Sequence, residues 1–195
     1  MFFETMENGE VMLEKKELRK QIRLLKQQYS LAEKKAKSIS VWETLEQEER
    51  FQKAQVILAY WSMDDEVYTH EFVAKWSAQK TLLLPSVRGE ELDIRYFEGE
   101  ELLCPGEGYA IPEPVGKLFQ DLKQIDLIIV PGVAFDVRGG RLGRGKGYYD
   151  KILKQTDAYK VGVCFDFQLV EQVPTEEHDI KMDLVIKSVS SNKDK

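Results

Sequence analysis

The first clear period in the chain is helical. Leu18, Ile22, Leu25, Tyr29 and Ala32 recur at spacings of three and four, with Lys, Arg, Glu and Gln between them. That spacing predicts a helix from Glu14 to about Lys37. Thr44 or a neighbour then caps a second helix running through Lys53. From there the pattern changes to short apolar runs. Val56-Ile-Leu-Ala-Tyr-Trp61 has the length of a buried strand, and Ser62-Met-Asp-Asp-Glu66 forms the loop at its end. Thr69 opens a helix to about Gln79. Thr81–Pro85 reads as the next strand and Leu92–Phe97 as a half-buried one, and Gly106–Pro114 reads as a loop. Asp126–Pro131 is a strand, Lys146–Gln155 a helix, Tyr159–Phe165 a strand and Asp183–Ile186 a last short strand.

Strands alternating with helices predict an α/β fold with a mainly parallel sheet flanked by helices. Residues 14–190 form one domain, without internal repeats. Residues 1–13 read as a flexible lead-in, in which Met12 serves equally well as a native start. In such sheets ligands gather beyond the carboxyl ends of the strands. Three pieces fall there: Trp61–Glu66, the stretch after Val130, and the segment after Phe165.

The stretch after Val130 carries the densest chemistry. It reads Pro131-Gly-Val-Ala-Phe-Asp-Val-Arg-Gly-Gly-Arg-Leu-Gly-Arg-Gly-Lys-Gly-Tyr-Tyr-Asp150. Its glycines open main-chain N–H groups, and Arg138, Arg141, Arg144 and Lys146 place cations among them. Strand, glycine loop and helix start together predict an anion cradle suited to phosphate. Gly140 to Lys146 fits the G-x-x-x-x-G-K spacing of a P-loop. The next residue is Gly147, however, where a P-loop has the Ser or Thr that holds Mg²⁺. The G-x-G-x-x-G dinucleotide spacing is missing as well. The alternative is a flexible surface turn with scattered charge.

Composition narrows the classes. With 43% hydrophobic and 32% charged residues, the chain reads as a soluble globular protein with no membrane association. No apolar run approaches the roughly 20 residues a bilayer span needs, and the start does not resemble a secretory signal. Cys104 and Cys164 make no disulfide framework, so a reducing cytoplasm with buried free thiols is expected. A net charge of −6 argues against nucleic acid as a partner. Against that background, Arg138–Lys154 holds six basic residues and one acid, Asp150, which marks a local site.

Other candidates are open to two readings each. Asp150 suits a Mg²⁺ held partly by substrate phosphates, or a first-turn acid favoured by the helix dipole. Of Tyr148 and Tyr149, one packs and the other faces the site. Glu66 can accept hydrogen bonds from a polar heterocycle, or sit in a solvated turn. Lys15, Lys16, Arg19, Lys20 and Arg23 form either a solvated helix face or a reach toward phosphate. His70 and His178 have no partner at zinc-ligand spacing. Asp179 is a second metal carboxylate or a turn residue.

These residues resemble the 5-formyltetrahydrofolate cyclo-ligase family. The most specific likeness is Arg141-Leu-Gly-Arg-Gly-Lys-Gly-Tyr-Tyr-Asp150, preceded by Pro131-Gly-Val-Ala-Phe-Asp136. Lys15-Lys-Glu-Leu-Arg19, Ser62-Met-Asp-Asp-Glu66, Ile111-Pro-Glu-Pro114 and His178-Asp-Ile-Lys-Met-Asp183 follow the family's order. The likeness spans about residues 14 to 187.

The resemblance implies a three-layer fold like that of sugar-phosphate isomerases and CoA-transferases. It also implies a reaction that uses ATP and Mg²⁺ to turn 5-formyltetrahydrofolate, with or without a polyglutamate tail, into 5,10-methenyltetrahydrofolate. By the family pattern, Lys15, Arg19 and Arg141-Leu142-Gly143-Arg144-Gly145-Lys146-Gly147-Tyr148-Tyr149 hold ATP. Arg19, Trp61, Glu66 and Arg144 to Tyr148 (Gly145, Lys146 and Gly147 between them) meet the folate. Arg144, Lys146 and Tyr148 are the catalytic candidates, and Asp150 and Asp179 the metal ligands. One residue of helix register separates Lys15 from Lys16 for the phosphate role. A monomer is expected. Two other classes remain in play on the residues themselves: a phosphate-binding isomerase or acyl-transfer enzyme that needs no ATP, and a nucleotide-binding module without turnover.

Overall fold

The computed structural model describes residues 2–106, 111–176 and 179–189. Helix α1 spans Phe2–Lys26, α2 Leu31–Gln47 and the short α3 Glu49–Lys53. Strand β1 (Val56–Leu58) leads through α4 (His70–Ser77) to β2 (Thr81–Arg88) and β3 (Glu91–Tyr96). Strands β4 (Leu103–Pro105) and β5 (Pro112–Pro114) pair with each other. Then come β6 (Leu127–Val130), a two-stranded ribbon of β7 (Ala134–Phe135) and β8 (Arg141–Leu142), α5 (Tyr148–Leu153), β9 (Tyr159–Cys164) and β10 (Leu184–Lys187).

The single helix expected over Glu14–Lys37 is two helices. The turn between them is fixed by Ser30, whose Oγ accepts from the Glu33 N–H at 3.2 Å while its own N–H donates to the Glu33 carboxylate at 2.8 Å. This capping box restarts the helix, and apolar spacing that runs on across the turn conceals it. Thr44 caps nothing. It lies inside α2, with its hydroxyl donating to the Ser40 carbonyl at 2.8 Å. Helix α1 already begins at Phe2. The loop expected over Gly106–Pro114 ends on strand β5, with residues 107–110 outside the described set. Both cysteines are free, but only Cys164 is buried; Cys104 is exposed.

The main sheet has the order β10-β9-β6-β1-β2-β3, parallel throughout except for β3 against β2. Alternate residues of its strands feed two cores. Ile57, Leu82, Leu127, Ile129 and Val161 pack with Val41, Leu45, Phe51 and Phe72 from α2, α3 and α4. Leu58, Leu83, Ile128 and Val130 pack with Ile152 and Leu153 from α5. Helices therefore cover both faces, and the near-continuous apolar runs follow from that double burial. The path from β1 moves to one side of the sheet and the path from β6 to the other. Strand order thus reverses between these neighbours, which opens a crevice at their carboxyl ends.

Two smaller pieces wall that crevice. Ile22, Leu18 and Leu25 of α1 pack on Val133, Ala134 and Leu142, which seats α1 across the β7–β8 ribbon. The ribbon is keyed to the sheet by Phe135, which is fully buried. A methyl group at Gly162 on β9 would collide with the Phe135 ring, and the buried ring has nowhere to go. Gly162→Ala should therefore cost about 1–3 kcal/mol of overpacking strain. A urea unfolding midpoint unchanged from that of the parent protein would remove this contact from the account.

Candidate functional site

A cavity of about 550 Å³ opens at the carboxyl ends of β1, β2 and β6. It brings together residues far apart in the chain. Lys15 and Arg19 enter from α1, Trp61 and Glu66 from the loop after β1, Arg141 to Asp150 from the glycine segment, and Asp179 from the approach to β10. Every residue that the family pattern assigns to ATP, folate or metal lines this one space. Lys15, and not Lys16, is the lysine that faces it.

The glycine segment does two separate jobs. Its first half is structural. Asp136 is 3% exposed, and its carboxylate accepts from the N–H groups of Arg138 at 2.8 Å, Gly140 at 3.0 Å and Val173 at 2.9 Å. Burial alone would raise its pKa, but these three bonds outweigh it and leave the pKa lowered. Arg138 and Gly139 belong to that clamped turn and do not line the main cavity. The second half, Gly143 to Gly147, does. Gly145 and Gly147 have φ of 100° and 71°, values open chiefly to glycine. The continuous strand–loop–helix cradle expected from the sequence is thus interrupted by the β7–β8 ribbon. Helix α5 has only six residues, so side-chain cations supply most of the local positive field.

Glu66, Asp150, Glu176 and Asp179 are each met by a cation. Lys15 Nζ donates to Glu176 at 2.7 Å and to Asp179 at 2.9 Å. Burial works to lower the Lys15 pKa, and the two carboxylates more than reverse it. Arg141 pairs with Asp150 at 2.5 Å, and its Nε is buried without a hydrogen-bond partner. Arg144 bridges Asp65 at 2.6 Å and Glu66 at 3.0 Å. Burial pushes the Glu66 pKa up against the pull of Arg144 and of the Met63 N–H, which donates to Glu66 at 3.1 Å. Arg19 Nε donates to the Gly143 carbonyl at 2.9 Å, which ties α1 to the loop.

Both tyrosines line the cavity, and Tyr149 also packs against the core. Tyr148 lines the cavity with its hydroxyl turned to the Gly89 carbonyl, 3.0 Å away. The Tyr149 hydroxyl is buried and without a hydrogen-bond partner, and burial followed by the Glu66 charge raises its pKa. Trp61 is stacked on His70 at 3.9 Å between ring centroids. His70 Nε2 also lies 3.1 Å from the Ser62 carbonyl oxygen. His178 lies outside the described residues.

The family model for 5-formyltetrahydrofolate cyclo-ligases matches residues 11–188. The chain belongs to the 5-formyltetrahydrofolate cyclo-ligase family. It is accordingly an enzyme of the ligase class. The mouse 5-formyltetrahydrofolate cyclo-ligase is 31% identical over 185 residues, covering 87% of this chain and 89% of that protein. The Escherichia coli K12 enzyme of the same name is 34% identical over 141 residues, covering 68% of this chain and 78% of its own. In structure, the chain is similar to the Aquifex aeolicus 5,10-methenyltetrahydrofolate synthetase, with a TM-score of 0.80, 35% identity and 89% of each chain covered. The synthetase of Mycoplasma pneumoniae aligns at a TM-score of 0.71 and 25% identity, covering 89% of this chain and 98% of that one.

Within this family fold, sequence reasoning passed over one wall of the cavity. Pro85, Val87 and Leu92 of the β2–β3 hairpin line it, as do Met63, Ile111 and Glu176. Pro85 and Val87 stand two apart, so strand alternation carried a signal once β2 was known to run to Arg88. Lys26 and Asp65, behind Arg144, were also missed. Lys26 falls four residues after Ile22, on the apolar stripe of α1, where a lysine is out of place.

The Asp136 clamp has a pH signature. Its depressed pKa adds stability above the unfolded carboxylate value of about 3.9, and that contribution fades as pH falls through the lower folded value. Asp136→Asn brings an NH₂ group against backbone donors and should cost about 1–3 kcal/mol at neutral pH. The gap between parent and variant should narrow in urea titrations below that range. A gap constant down to strongly acidic pH would refute the clamp.

Proposed function

We propose that the protein converts 5-formyltetrahydrofolate to 5,10-methenyltetrahydrofolate, consuming ATP in a Mg²⁺-dependent reaction and releasing ADP and phosphate. The observation that carries this reading is the single shared cavity. A cation-rich glycine loop, a buried carboxylate on Glu66 and the apolar Pro85–Val87–Leu92 wall all face the same space. A triphosphate suits the first, and a flat heterocycle with N–H donors suits the other two. The family's membership and the names of its members supply the reaction.

The chemistry needs both ligands side by side. A formamide oxygen is a poor leaving group. Transfer of the γ-phosphoryl group to that oxygen breaks its bond to ADP and creates a phosphorylated imidate. The 10-nitrogen then attacks the activated carbon, and the former formyl oxygen departs within phosphate. Lys146, Arg144, Arg141, Lys15 and Arg19 surround the phosphate end, with the N–H groups of Leu142, Gly143, Gly145 and Gly147 as further donors. Arg144 and Lys146 meet the charge that spreads over the transferring group, so catalysis is mainly positioning and electrostatics. Trp61 and Glu66 meet the folate, with Glu66 at the pterin. Tyr148 and Tyr149 close the space between the two ligands, and Tyr148 acts through its ring because its hydroxyl is occupied.

Asp150 and Asp179 fit a metal role of limited kind. Both line the cavity, yet among the described residues no three ligating groups are placed to hold an ion. Mg²⁺ commonly takes one or two carboxylates and completes its shell with phosphate oxygens and water, and it would neutralise triphosphate charge there. We further infer a monomer acting in the cytoplasm; among the described residues no helix is long and apolar enough to cross a membrane.

The test mixes the protein with ATP, Mg²⁺ and 5-formyltetrahydrofolate carrying ¹⁸O in the formyl group. Methenyl product should be seen by its near-ultraviolet absorbance, and the label should appear in phosphate. Unlabelled phosphate would exclude transfer to the formyl oxygen, and absence of product would exclude the reaction. Lys146→Ala should lower kcat by about 10²-fold or more while changing KM for the folate little, because its charge matters most when negative charge moves. Unchanged kcat with a raised KM would reassign Lys146 to ground-state binding.

A further inference from the structure

Lys26 is 5% exposed in the last turn of α1. Burial disfavours its charged form. It is held by Asp65 Oδ2 at 3.1 Å. The other oxygen of the same carboxylate, Oδ1, accepts from Arg144 Nη2 at 2.6 Å. Arg144 also reaches Glu66 Oε1 through Nη2 at 3.0 Å and Nε at 3.2 Å, and its Nη1 takes no part in these contacts. Four groups thus alternate in sign: Lys26, Asp65, Arg144, Glu66. A carboxylate that spends one oxygen on each of two cations has little rotational freedom left. The guanidinium it grips is fixed in turn.

Stability does not explain Lys26. A buried ion pair generally gains little over an apolar pair of similar size, and the position lies on the apolar stripe of α1, where Leu or Met would pack. What the charge does supply is an anchor for Asp65 from a different helix. We propose that Asp65 is a positioning residue for Arg144, and that Lys26 holds Asp65 in that role. The inference rests on the phosphate-side role of Arg144 argued above. Neither residue touches substrate; both act through the guanidinium. Arg144 is otherwise a half-exposed side chain on a glycine loop, and such a group loses much of its effect when misplaced by about 1 Å.

The test is a mutant cycle. Asp65→Asn alone would strand a buried ammonium, so Lys26→Met and Asp65→Asn are combined. This pair is made in the parent and in Arg144→Ala. In the parent background the pair should lower kcat about tenfold or more and weaken calorimetric MgATP binding, with KM for 5-formyltetrahydrofolate within about threefold. In the Arg144→Ala background the pair should cost less than about twofold in either quantity, because its action runs through the missing guanidinium. Losses that multiply in the two backgrounds, or a parent-like kcat and ATP affinity in the pair, would overturn the proposal. Should the parent protein make no methenyl product, the reaction assignment fails, and the same cycle read in MgATP affinity still decides the positioning role.

Discussion

Charge neutralisation inside a crevice governs this molecule. The cavity collects carboxylates from the loop after β1, from α5 and from the approach to β10, and none could be buried there alone. Glu66 shows the cost directly, since burial raises its pKa even with Arg144 beside it. Lys15 shows the compensation, with two carboxylates outweighing its own desolvation. The pairs Lys15–Asp179, Arg141–Asp150 and Arg144–Glu66 hold the walls of the site together. On the proposed reading, an incoming triphosphate would compete with resident carboxylates for the same cations, exchanging partners with them.

The sheet is what allows so many charges to meet. Parallel strands send every carboxyl end to the same edge, and the reversal of order between β1 and β6 leaves a gap there. The gap is then bordered by elements that are not part of the parallel sheet: α1, the β7–β8 ribbon and the β2–β3 hairpin. Packing fixes each of them. Ile22 seats α1 on the ribbon, Phe135 keys the ribbon to Gly162, and Glu113 accepts from Ser86 and the Val87 N–H to brace the hairpin.

Much of this was legible in the residues. Strand runs such as Leu127–Val130 were readable because double burial leaves no polar position to interrupt them. The glycine segment stood out because glycines and cations cluster there against an acidic background, whereas Lys15, Trp61, Glu66 and Asp179, which line the same cavity, were marked only by the family resemblance. What stayed hidden was interaction between distant parts. The break at Ser30 was masked by an apolar spacing that persists across it. The pairing of β7 with β8 split the glycine segment, and local sequence has no means of showing that Asp136 rather than a ligand holds its first half. Lys26 was lost in a helix rich in lysines, although its place on the apolar stripe set it apart.

The bond from Lys15 to Asp179 closes a span of 164 residues. During synthesis the first helix therefore emerges long before its counterpart across the cavity exists. Its basic face must wait, solvated, while strands β1 to β9 form, and the pocket gains its last wall only when the approach to β10 leaves the ribosome. A nascent chain that stops short of Asp179 lacks that wall of the cavity. When it ends between Asp150 and Glu176, such a chain carries the glycine loop and the basic face of α1 without the carboxylates that Lys15 meets in the folded protein.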